Sequence, residues 1–121
     1  DDAGASGEVE AATTVRSDEL SVTIAPKKGT EVKVVMRAGD PLTYSWDAAG
    51  GRVFYDFHGE PEGAASGVFE SFEKGTKGAA QGEFKAPFDG VHGWYWKNVG
   101  AEPVTVTVKT SGVYSRFGQV R

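Results

Sequence analysis

Between Pro103 and Thr110, Val104, Val106 and Val108 alternate with Thr105, Thr107 and Lys109, a strict period of two. Successive side chains of an extended strand point to opposite faces, so this pattern predicts a strand with one buried and one wet face. A helix would repeat its apolar positions every three or four residues instead. Glu31 to Arg37 follows the same rule, with Val32, Val34 and Met36 opposite Glu31, Lys33 and Arg37, interrupted only by Val35.

From Leu20 onward, short runs of this character are separated by Gly, Pro, Asn or Asp at intervals of roughly ten residues, the spacing of an all-β sandwich. The expected strands are Glu19 to Ala25, Glu31 to Arg37, Leu42 to Asp47, Arg52 to His58, Val68 to Glu73, Gly82 to Ala86, Val91 to Asn98 and Pro103 to Thr110. Breakers at Pro26 to Gly29, Gly39 to Pro41, Gly50 with Gly51, Gly59 to Gly63, Gly75 to Gly78 and Gly100 stand between them. The 17 glycines and the scarcity of Leu and Met also argue against helices.

Residues 1–17 carry Ala, Gly, Thr and acids without a period and are expected to form a flexible linker, leaving 18–121 as one β-sandwich domain. The formal charge of −4 belongs to that tail. Six acids and one base, Arg16, precede Leu20, which leaves 12 bases against 11 acids in the remainder. A near-neutral domain with scattered Lys and Arg lacks the electrostatic footprint of a nucleic-acid binder. The absence of cysteine excludes disulfides, thiolate metal sites and cysteine nucleophiles. The chain starts with Asp and has no apolar run of the ~20 residues a membrane span needs, so the reading is a mature secreted product or the soluble part of an anchored protein.

The stretch from Ala86 to Asn98 is the most distinctive in composition: it holds four aromatic residues and His92 and is broken at Pro87 and at the Asp89–Gly90 turn. Here His92, Trp94 and Trp96 fall on one side and Val91, Gly93 and Tyr95 on the other; in Arg52 to His58, Val53, Tyr55 and Phe57 oppose Phe54, Asp56 and His58. Bulk on both faces predicts two central strands, covered outside by the Gly-rich connections around Gly63 and Gly78.

Metal binding is the sharpest chemistry the two histidines allow. Asp56 and His58 share a face with Cα atoms ~6.6 Å apart, and Glu60 follows, so zinc or copper held by His58 and His92 is expected if the two rings meet. The simpler reading makes both histidines hydrogen-bonded structural residues. Trp94 or Trp96 would serve a carbohydrate-binding module if exposed, whereas alternation in a central strand makes them core. No GxSxG elbow, HExxH, P-loop or GxGxxG is present, and the expectation is a protein that is not an enzyme.

The string FKAPFDGVHGWYWKN, followed by EPVTVTVKTSG, resembles the soluble part of small bacterial transmembrane anchor proteins. LSVTIAPKKGTEVKVVMRAGD and LTYSWDAAGGRVFYDFHGE are similar to that family too, so the likeness spans about Glu19 to Tyr114. It implies a cytoplasmic N-terminus and one membrane-spanning helix ahead of this chain, then a linker ending in this β domain in the periplasm, anchored to the inner membrane. Its motifs contain His58 and His92. More remotely, a strand entered through Pro and Asp-Gly, with alternating aromatics and an Asn, is similar to the closing strands of GOLD domains, a fold analogy only.

Together these readings predict an antiparallel β-sandwich of seven or eight strands, GOLD-like or jelly-roll-like, acting as a non-catalytic ligand-binding or protein-interaction domain. The candidate site is His58, His92, Asp56, Glu60 and Trp94. The expected partner is a protein or small ligand docking at that site or on open edge strands.

Overall fold

A computed structural model describes residues 14–120, and all of its regular structure is strand. The elements are β1 (Arg16–Ile24), β2 (Gly29–Met36), β3 (Pro41–Ala49), β4 (Val53–Pro61), β5 (Glu70–Lys77), β6 (Ala79–Lys85), β7 (Gly90–Asn98), β8 (Val104–Gly112) and β9 (Arg116–Val120). The four-stranded sheet runs β1-β8-β3-β6 and the five-stranded sheet β5-β4-β7-β2-β9.

The pairings are nested. β4 pairs β5, β3 pairs β6, β2 pairs β7 and β1 pairs β8, all antiparallel, as in one long hairpin whose tip is the β4–β5 connection. That ribbon is wound so that every connection except β4–β5 passes from one sheet to the other, and the β3–β8 and β4–β7 pairings close the winding. This is the jelly roll. Eight of its strands coincide in place with those expected from the sequence, and β9 adds an edge to β2 in the register Val35↔Arg116.

The two-residue alternation does what it must in this winding. Val104, Val106 and Val108 meet Val32, Val34 and Met36 in a core that also takes Trp46, Tyr55, Phe57, Trp94 and Trp96. The large rings interlock, with Trp94 stacked on Phe57 (centroids 5.1 Å apart, 13°) and on Trp96 (5.9 Å, 2°) and Trp46 edge-on to Trp96 at 5.8 Å. Asn98 is fully buried at the end of β7. Its amide donates to the carbonyls of Ile24 (3.0 Å) and Glu102 (2.7 Å) and its Oδ1 accepts from the Gly100 N–H (2.9 Å), so one side chain ties the β1–β2 and β7–β8 connections together. At the other end the buried Tyr114 hydroxyl donates to Asp18 at 2.7 Å, holding the β8–β9 connection against β1.

Two expectations require correction. Gly75 to Gly78 is not a long connection: β5 continues to Lys77 and only Gly78 separates it from β6. The glycines here serve packing, since the Tyr55 ring lies 3.5 Å from where a Cβ on Gly75 would stand and the Tyr44 hydroxyl 3.0 Å from one on Gly82. The tail expected to end at residue 17 is shorter, because Arg16 and Ser17 already pair with Gly112 and Ser111. The rest of that expected linker, 1–13, lies outside the described residues.

Candidate functional site

β4 and β7 are the central pair of the five-stranded sheet, as their two-sided bulk implied, and their register decides where the two histidines go. His58 lies opposite Gly93, and Gly59 opposite His92. Adjacent positions of paired strands face opposite ways, so His58 projects outward while His92 projects into the sandwich. The two imidazoles therefore cannot share an ion, and zinc or copper held by His58 together with His92 is ruled out.

His92 is a core residue, 1% exposed. It stacks on Phe88 (4.9 Å, 23°) and Phe72 (6.2 Å, 17°) and lies tilted against Phe84 at 5.7 Å. Gly59 makes room for it, since a Cβ there would stand 2.9 Å from the His92 ring and 2.8 Å from Phe88. Neither ring nitrogen makes a hydrogen bond of ordinary geometry. Burial lowers its pKa from 6.5 to about 4, the nearby backbone of Gly90 and Val34 only partly opposing the shift.

That shift makes stability depend on pH. Between pH 6.5 and about 4 the unfolded chain binds a proton at His92 that the folded chain refuses, so stability is complete above the unfolded value and declines as pH falls through this window. The loss should approach roughly 3 kcal/mol below pH 4. Urea unfolding at pH 7, 5.5 and 4 measures it, and a His92→Leu variant should show a much shallower slope over that range; an unchanged slope would assign it to other groups.

Trp94 and Trp96 are 1% and 0% exposed, so neither offers a face on which a sugar could stack. Among the expected site residues, then, His92 and Trp94 belong to the core, and Asp56, His58 and Glu60 remain together on the outer face.

What gathers on that face was only half legible. His58 is 9% exposed; its Nδ1 donates to the carbonyl of Asp56 at 2.9 Å, because a carbonyl can only accept. In the neutral ring the lone pair is then on Nε2, which lies 3.9 Å from Glu60 Oε2. Lys33 enters from β2, its Nζ 2.7 Å from Glu60 Oε2 and 3.2 Å from Glu31 Oε1. β2 and β4 are not neighbours. They meet only because Gly93 lies between Lys33 and His58 in the same cross-strand row and puts no side chain on this face. Partial burial works to lower the Lys33 pKa, but the hydrogen bonds and charges of Glu60 and Glu31 prevail and raise it, so the ammonium stays charged. Ser71 donates to Asp56 Oδ1 at 2.9 Å and steadies the carboxylate beside His58.

Glu31 and Lys33 were expected only as the wet face of their strand. The missing signal is the sheet order β4-β7-β2, which no local pattern encodes.

The connection 62–69 rises beside this cluster. Phe69 packs edge-on to His58 at 5.2 Å, yet Phe69 and Val68 remain 52% and 51% exposed. Behind the loop is a depression of about 400 Å³ whose lining includes Glu60, Pro61, Val68, Gly90 and Val91. A larger concavity, about 850 Å³, opens on the outer face of the four-stranded sheet among Ser17, Thr43, Ser45, Gln81 and Ser111, away from both histidines.

No protein-family model matches the chain, and no curated protein matches it. Solved structures do resemble it in fold. The mitogen YPM derived from Yersinia pseudotuberculosis superposes with a TM-score of 0.60 at 10% identity, over 81% of this chain and 86% of that one. PliG of Aeromonas hydrophila, a periplasmic lysozyme inhibitor of g-type lysozyme, superposes with a TM-score of 0.56 at 16% identity over 91% of each chain. At such identities the likeness establishes the jelly-roll fold alone.

Proposed function

We propose that the chain is a non-catalytic binding domain that works in the periplasm, tethered to the inner membrane, and docks a protein partner at the corner formed by His58, Glu60, Lys33 and the 62–69 loop. The observation that carries this reading is the pair Val68 and Phe69, two adjacent apolar side chains half-exposed beside a partly buried charged cluster, the mixture of anchor and polar surround that protein interfaces use. The outer imidazole is oriented by a backbone carbonyl toward carboxylates, an arrangement that activates no hydroxyl nucleophile. The likeness of the sequence to the soluble part of transmembrane anchor proteins supports the address. A periplasmic lysozyme inhibitor of the same fold supports a protein partner by analogy.

A photo-crosslinking residue placed at Val68, in the protein expressed in its native compartment, should give a discrete adduct. The same residue at Thr107, on the outer face of the opposite sheet, should give none. A Phe69→Ser substitution should abolish the adduct while changing stability by less than about 1 kcal/mol, because the ring is half in water already. Equal yields at the two positions, or survival of the adduct without Phe69, would overturn the proposal.

A further inference from the structure

We propose that Glu31, His58 and Glu60 form a zinc site on the outer face of the five-stranded sheet, with the Lys33 ammonium standing where the ion would sit. This goes beyond the docking reading and is independent of it, since it rests on these side chains alone. One ligand atom from each of the three residues lies within 4.8 Å of the others. Zinc binds nitrogen and oxygen at about 2.0–2.2 Å, which places neighbouring ligands of a tetrahedron roughly 3.3 Å apart. Each separation therefore has to shrink by at most about 1.5 Å, and both glutamates are long, partly exposed side chains with rotamers to spare.

The imidazole is prepared for this role. Its Nδ1–H is committed to the Asp56 carbonyl, the partner that fixes the tautomer and ring plane of metal-binding histidines, which leaves the Nε2 lone pair available on a side chain only 11% exposed. Nε2 faces Glu60 across 3.9 Å. Two carboxylates and one imidazole match zinc's ligand chemistry, with water completing the tetrahedron, whereas calcium would need six to eight oxygens.

Lys33 is the unusual element. Its Nζ, 2.7 Å from Glu60 and 3.2 Å from Glu31, already neutralises the charge an ion would neutralise. An ion can enter only if the ammonium withdraws, and Lys33 can do so because its four-carbon stem is flexible and both cross-strand neighbours in its row, Gly93 and Gly118, leave space. Lys33 thus acts as an internal competitor that weakens the site for zinc while keeping the two carboxylates together.

Competition predicts an effect opposite in sign to that of a structural ion pair. Isothermal titration of the full chain with zinc chloride should show one site, and Lys33→Gln should tighten it by about 10-fold or more, because removing a unit charge this close to a dication eliminates a strong repulsion. His58→Gln and Glu60→Gln should each weaken it by about 10-fold or more, and circular dichroism should confirm that they remain folded. Calcium should give no comparable binding. Unchanged or weaker zinc binding in Lys33→Gln, undiminished binding in His58→Gln, or equal binding of calcium would each overturn the site.

Discussion

Gly93→Ala should destabilise the domain by at least about 4 kcal/mol, enough to threaten folding of a protein of this size. Gly93 has φ +150°, and a Cβ there would stand 2.0 Å from the carbonyl oxygen of Val32 and 3.0 Å from the Cα of Lys33. Both are backbone atoms of the paired strand, so relief requires β2 to move away from β7 in the middle of the five-stranded sheet rather than a side chain to turn aside. The left-handed backbone adds its own penalty for any residue with a Cβ. Gly118→Ala is the control, because that glycine flanks Lys33 on the other side and a Cβ on it would meet nothing within 4 Å. Its stability should stay within about 0.5 kcal/mol of the parent. Chemical denaturation of the two variants side by side decides the matter; a mild effect at Gly93 would mean that the sheet yields more easily than its pairing suggests.

Trp94→Ala should cost about 3–5 kcal/mol, lowering the melting temperature by well over 10 °C. The ring lies between Phe57 and Trp96 in parallel stacks and receives Tyr44 edge-on at 5.3 Å, so its removal leaves a cavity whose walls belong to both sheets. Rigid rings fixed by their own neighbours collapse poorly into such a space. Trp94→Phe should lose less than half as much. It keeps most of the apolar contact and discards an indole N–H that is buried without a hydrogen-bond partner. If Trp94→Ala instead left stability nearly intact, the interlocked ring stack could not be the centre of the core.

The contrast between these two positions shows what a local pattern carries. Trp94 could be assigned to the core from alternation alone, because period two in a strand determines which side chains share a face whatever the strand's neighbours are. The same rule placed Val53, Tyr55 and Phe57 together and set His58 and Asp56 against them, and the register of β4 with β7 agrees. What alternation cannot do is align one strand with another. His58 and His92 each lay on a known face of a known strand, yet whether those faces coincide depends on which residue stands across from which. A shift of one residue reverses the answer. β9 escaped for a related reason: Arg116 to Val120 lacks a clear period and becomes a strand by pairing with β2. Gly75 read as a break because a glycine admitted for the sake of a tyrosine ring on another segment is identical, in sequence, to one that turns the chain.

By itself, the sequence determined the class of fold, the places of eight strands and the inward set of valines and tryptophans, since these follow from short-range sterics and from the tendency of apolar surface to leave water. The tertiary structure decided which elements meet. It set the register that puts His58 and His92 on opposite faces of the sheet, and it carried Glu31 and Lys33 from β2 across a glycine to Glu60 on β4. Charge clusters of this kind arise from strand order, and strand order is the outcome of winding one long ribbon so that all of its apolar faces are buried at once.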